Sequence, residues 1–92
     1  MDPDLKELIP DYLKNKERDL PIYREALEKG DFDSIARRGH SMKGTGGGYG
    51  FDELSSIGRA IENAAKNRDA ESVRQSIIDL TDFLNKLEVV YD

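Results

Sequence analysis

The chain has no cysteine, no tryptophan, one histidine and three prolines in 92 residues. Without cysteine there is no disulfide staple, no thiolate metal ligand and no thiol nucleophile. A lone histidine with no thiol partner offers little to zinc, so no metal site is expected. No apolar run approaches the roughly 20 residues that span a bilayer. The opening Met1-Asp2-Pro3-Asp4 is acidic, where a secretory signal would be basic. Positive charge is not in excess either: 14 Lys and Arg stand against 19 Asp and Glu, a net charge of -5. A nucleic-acid surface needs a basic face to release counterions, so no nucleic-acid partner is expected. What is left is one cytoplasmic domain over residues 1–92, free of membrane segments. It is too small for a second core and must be held by packing long amphipathic elements together.

Those elements are helical throughout, because apolar residues recur at helical spacing and no stretch alternates as a half-buried strand does. Asp2-Pro3 reads as a helix start. Leu5, Leu8 and Ile9 then form a short apolar patch that Pro10 interrupts. A long helix is expected from about Pro10 to Lys29, with Leu13, Leu20, Tyr23 and Leu27 inward and Gly30 as its stop. Pro21 should kink that helix or split it; continued apolar spacing favours the kink. Asp31 reads as the N-cap of a second helix, over about 32–48, whose inward face is Phe32, Ile35, Ala36, Gly39 and Met42. Its end falls in a glycine-dense stretch, Gly44 to Gly50, and propensity leaves the end open, with Gly50 the favoured turn residue. Asp52 is expected to cap a third helix carrying Leu54, Ile57, Gly58, Ile61 and Ala65 inward, closed by a turn at Asn67-Arg68-Asp69. In the last helix Val73, Ile77, Leu80, Leu84, Leu87 and Tyr91 step by four and three residues, the seam of a helix lying along its neighbours. The fold class is therefore all-α: an antiparallel four-helix bundle with a short N-terminal helical extension.

The single histidine is the informative residue. At about 100° per residue His40 lies off the centre of the inward stripe of its helix. Arg37 shares its strip one turn earlier, Lys43 and Gly44 one turn later, and Gly47 beyond them. Neighbouring cations disfavour a second positive charge on the ring, which leaves a nitrogen lone pair for attack. The same cations can neutralise phosphoryl oxygens once a phosphate is attached. Gly44 and Gly47 leave room for another protein to approach the ring. Taken singly, each residue has an ordinary explanation: a solvated histidine, a lysine lying along apolar surface, glycines at a turn. Their coincidence in one short segment is what points to chemistry.

The segment Ala36-Arg37-Arg38-Gly39-His40-Ser41-Met42-Lys43-Gly44-Thr45-Gly46, followed by Tyr49-Gly50-Phe51, resembles the signature of histidine-containing phosphotransfer (HPt) domains. Leu54, Ile57 and the Ile61-Glu62 pair are similar to positions of that family's third helix, and Ala26 to Phe32 to its approach to the phosphoacceptor helix. The likeness extends over roughly residues 10 to 90. It departs from the usual pattern at Gly39, where alanine is common, and in the three successive glycines Gly46-Gly47-Gly48. The resemblance implies a phosphoryl carrier with no independent kinase activity. His40 would be the phosphoacceptor, Lys43 the phosphate-stabilising cation, and Arg37, Gly44 and Gly47 the docking and clearance residues. Its implied partners are receiver domains of response regulators or hybrid sensor kinases. A cofactor is not expected on this chain, since the receiver supplies Mg²⁺, and a monomer is expected.

Competing readings are weaker. A P-loop needs its lysine after the glycines, and Lys43 precedes them. The dinucleotide fingerprint G-x-G-x-x-G fails at its third glycine, where Tyr49 stands, and no strand leads into it. A kinase fragment would need an ATP-binding domain for which there is no length. A helical adaptor domain without phosphoryl chemistry is the remaining alternative, and His40 with Lys43 is what such an adaptor has no need to present.

Overall fold

In the computed structural model, which describes the backbone of residues 3–91 and the side chains of residues 10–87, the chain forms four helices. They are α1 (Pro3–Lys29), α2 (Phe32–Gly48), α3 (Asp52–Lys66) and α4 (Ala70–Tyr91). Connections this short force each helix to fold back along the one before it. Each packs on its chain neighbours, and α4 closes on α1 to complete an up-down-up-down bundle.

The turns share one closure. A residue in the left-handed region follows each of the first three helices: Gly30 at φ 70°, Gly50 at φ 85° and Arg68 at φ 54°. The next N–H then reaches back across the helix end, from Asp31 to the Ala26 carbonyl at 2.8 Å, Phe51 to Gly46 at 2.8 Å and Asp69 to Ala64 at 2.9 Å. The helix starts differ. Asp31 caps α2 by accepting the Ser34 N–H at 3.2 Å and the Ser34 hydroxyl at 2.8 Å. Asp69 repeats that arrangement with Ser72 at the start of α4, at 3.2 and 2.6 Å. The cap of α3 is not Asp52: Phe51 occupies the N-cap position without a side-chain bond, and Asp52 is the first helical residue. There its carboxylate complements the helix dipole instead of capping it.

Neither internal proline divides α1. Pro10 and Pro21 both lie inside one continuous helix, so the interruption expected at Pro10 does not occur and Pro21 does not split the element. Each proline forfeits one N–H donor, but burial of Tyr12, Tyr23 and Ala26 on either side of Pro21 holds the helix against the bundle. The helix start expected at Asp2-Pro3 agrees with α1 beginning at Pro3, while Asp2, the side chains of the Leu5, Leu8, Ile9 patch and that of Tyr91 lie outside the described residues. The glycine run continues α2 as far as Gly48.

The core follows the apolar stripes. Tyr23, Ile35, Met42, Leu54, Ile61, Val73 and Leu80 are fully buried, with Ile77 and Leu84 nearly so. Leu13, Leu20, Leu27, Phe32, Ala36 and Leu87 pack on its edge, half-buried. Two aromatic pairs, not apparent from the stripes, fasten the α2–α3 turn. Tyr49 stacks on Tyr12 of α1 with ring centroids 4.4 Å apart. Phe51 meets Phe83 of α4 edge to face at 6.1 Å.

Helices α2 and α3 approach more closely than side chains would allow. A Cβ on Gly58 would lie 2.5 Å from the Lys43 backbone nitrogen, and one on Gly39 would lie 2.8 Å from that of Glu62. Backbone rests on backbone here, and that contact positions the site described below. The seam of α4 provides a direct test of the packing. Leu80→Ala should cost about 2–5 kcal/mol, as for a buried leucine that leaves a cavity. Equilibrium denaturation measures it, and a loss within about 0.5 kcal/mol, typical of surface positions, would contradict the bundle.

Candidate functional site

His40 stands on the exposed side of α2, with two-thirds of its side chain open to solvent. From the sequence the imidazole is expected among cations alone, yet the structure sets a carboxylate against it. Glu62 of α3 is only 7% exposed, and its Oε2 lies 2.9 Å from His40 Nδ1. An ionised carboxylate can only accept, so Nδ1 carries the hydrogen and donates it. In the neutral ring Nε2 then keeps its lone pair. The exposed imidazole is thereby held in one tautomer with its nucleophilic nitrogen defined.

Glu62 takes two further donors. Lys43 Nζ donates to Oε1 at 3.1 Å, and Lys66 Nζ, one turn further along α3, lies 3.2 Å from Oε2. The Lys43 hydrogen bond is the largest influence on the carboxyl. Burial opposes it, but the bonds from Lys66 and His40 add to it, and together they hold Glu62 down at about 2. Buried carboxylates need such partners, and this one has three.

The remaining residues singled out from the sequence are dispersed around this centre. Arg37 lies with Ala36, His40, Glu62 and Lys66 around a shallow depression of about 180 Å³, while its Nε makes a 3.4 Å contact to the Asp33 carbonyl of its own helix. Gly44 is exposed, and a Cβ there would meet nothing within 4 Å. Gly47 is almost as open, with only the Ser55 hydroxyl at 3.7 Å. Arg38 turns away and binds Asp19 of α1 at 3.0 Å. The Lys43 ammonium meets Glu62, which in turn meets the histidine. Among the described residues no cluster of three His, Asp or Glu side chains is placed to hold a metal ion.

Sequence reasoning missed Glu62 and Lys66 as site residues. Glu62 carried part of the family likeness without a role of its own. One signal was present: it is an acid on the inward edge of the apolar stripe Leu54, Ile57, Gly58, Ile61 and Ala65, with a lysine four residues on. That such a carboxylate faces His40 depends on the register of α3 against α2, which the packing of the two helices sets, their glycine contacts included.

A family model described as Hpt domain matches residues 7–89 of the chain, nearly its whole length. No curated protein and no solved structure matches it.

The depressed carboxyl of Glu62 makes stability depend on acidity. A group lowered from 4.5 to about 2 on folding contributes fully above pH 4.5, and its contribution disappears as the pH falls through about 2. The stability difference between wild type and Glu62→Gln should therefore be constant above pH 4.5 and change on acidification below it. Urea denaturation at a series of pH values measures this, and a pH-independent difference would show that Glu62 is not held ionised by its partners.

Proposed function

We propose that this chain, which belongs to the Hpt domain family, accepts a phosphoryl group on His40 from a receiver-domain aspartyl phosphate and relays it to another receiver. The family is one of phosphorelay histidine phosphotransfer. The observation that supports His40 as the acceptor is its Nδ1 bond to Glu62, which leaves Nε2 as the nucleophile on a side chain two-thirds open to solvent.

In this scheme the Nε2 lone pair forms a bond to phosphorus as the bond from phosphorus to the aspartyl oxygen breaks. The aspartate leaves as a carboxylate with the electron pair. The ring keeps its Nδ1 proton and takes on positive charge, which Glu62 offsets across the 2.9 Å bond. Run in reverse, the same steps return a neutral imidazole as leaving group, so transfer in either direction needs no proton from outside. Lys43 stabilises the phosphoryl oxygens, and the Mg²⁺ and other catalytic groups come from the receiver.

Charge and shape support a receiver as partner. Between Ser34 and Gly50 the chain carries no acid, although its net charge is -5, and Arg37 and Lys43 flank His40. An acidic phosphorylation pocket would be drawn to that surface. The open strip at Gly44 and Gly47 lets such a pocket close around the ring. A relay between receiver domains is the ground on which we assign the domain to the cytoplasm, as a monomer.

His40→Gln should keep the fold and abolish acceptance of acid-labile, alkali-stable label from a phosphorylated receiver. Uptake at the wild-type rate would show that His40 is not the acceptor, and no uptake by the wild type would return the chain to the adaptor reading. Charge and clearance should also separate. Lys43→Ala should slow single-turnover transfer by about one to two orders of magnitude if a charge-assisted contact of roughly 1.5–3 kcal/mol forms in the transition state. Gly44→Gln should leave the domain no less stable, since glutamine is the better helix former, yet weaken receiver binding. Normal binding by the Gly44 variant would show that the open strip plays no part in docking.

A further inference from the structure

We infer that Lys66 is a movable phosphoryl-binding cation, held on Glu62 while His40 is free and transferred to the phosphoryl oxygens once His40 is phosphorylated. The inference rests on the reading of His40 as phosphoacceptor. It begins from an unequal sharing of Glu62. Oε1 serves Lys43 alone, whereas Oε2 serves both the imidazole and Lys66. Because the contacts of 2.9 and 3.2 Å end on the same oxygen, the ammonium nitrogen and Nδ1 are at most about 6 Å apart, close enough for strong coupling.

The two lysines differ in freedom. Lys43 has a third of its side chain exposed and sits where α2 rests on α3, its backbone nitrogen against Gly58. Lys66 is 63% exposed and is the last residue of α3. Its i,i+4 pair with Glu62 has a solvent-open lysine end, whose ammonium can leave for a better anion without being desolvated. Lys66 also borders the same shallow depression as His40 and Arg37, while Lys43 does not. The four-carbon stem of a lysine allows its ammonium to swing without moving the helix.

Charge favours the exchange. In the free domain Lys66 competes with the imidazole for Oε2. Phosphorylation adds a dianionic group beside the depression and puts positive charge on the ring. Both changes favour the same move: the ammonium gains phosphoryl oxygens, and Glu62 is released to serve the cationic ring more fully. Glu62 is not left unpaired, because Nδ1 remains on it and the Lys43 ammonium, with three N–H donors, keeps one on Oε1 while another serves a phosphoryl oxygen. Lys66 therefore neutralises the phosphoryl group and, by leaving, strengthens the contact that steadies the phosphorylated ring.

The test uses the whole chain labelled with phosphoramidate, a small phosphoryl donor, so that receiver docking plays no part. Lys66→Met should shorten the lifetime of the His40 label by roughly two- to five-fold, the scale of a partly exposed charge contact. Its thermal midpoint should stay close to that of wild type, and Lys66→Arg should restore most of the lifetime. Lys29→Met removes another exposed i,i+4 pair, with Glu25, on a different helix. It should leave the lifetime unchanged. A wild-type lifetime in Lys66→Met, or an equal loss in Lys29→Met, would overturn the role of Lys66 while leaving His40 as acceptor. If wild-type protein takes no label on His40, the acceptor reading and the role of Lys66 fall together.

Discussion

The approach of α2 to α3 at Gly39 and Gly58 is the contact on which the site depends. With no side chain between them, the helices lie close enough for Lys43 and Glu62 to meet at 3.1 Å. A side chain at either position would press on the facing backbone and shift one helix against the other, and the ion pairs across them depend on hydrogen-bond geometry. Packing and chemistry are therefore set at one place. The missing methyl groups that weaken each helix alone allow the two to cooperate. The Ser55 hydroxyl, donating to the Lys43 carbonyl at 2.7 Å, ties the helices together just beyond that contact.

Glu62 is the electrostatic consequence of that approach. It is nearly buried, and burial of a charge is unfavourable unless donors surround it. Its three donors come from both helices and include the imidazole. The carboxylate thus has two tasks, offsetting lysine charge within the fold and fixing the tautomer of an exposed imidazole. This is why the histidine can be largely open to solvent and still be oriented: its restraint comes from a partner behind it, leaving the front of the ring unobstructed.

Much of the architecture was legible in the residues. The seam from Val73 to Leu84, the cap at Asp31 and the turns at Gly30 and Gly50 all follow from local rules of spacing and conformation, and the structure has them. Local rules failed where tertiary packing overrides propensity. Pro10 reads as a break, but its helix continues, and Asp52 reads as a cap one residue too late. Of the site, His40 and its strip were visible because they lie on one helix. Glu62 and Lys66 were not, because they meet the histidine only across an interface whose register is a property of two helices together. Tyr12 and Phe83 escaped notice for the same reason.

Those two aromatics have a consequence for how the molecule opens. The α2–α3 turn sits at the middle of the chain, and its Tyr49 and Phe51 are gripped from opposite sides by the first and last helices. Contacts so distant in sequence make the central hairpin hard to release as a separate unit, since loosening it exposes rings belonging to both ends. Cooperativity in this small domain therefore does not rest on the hydrophobic seam alone. Two ring contacts connect the outermost helices to the central turn, so local breathing near the helix that carries His40 is tied to opening of the whole bundle.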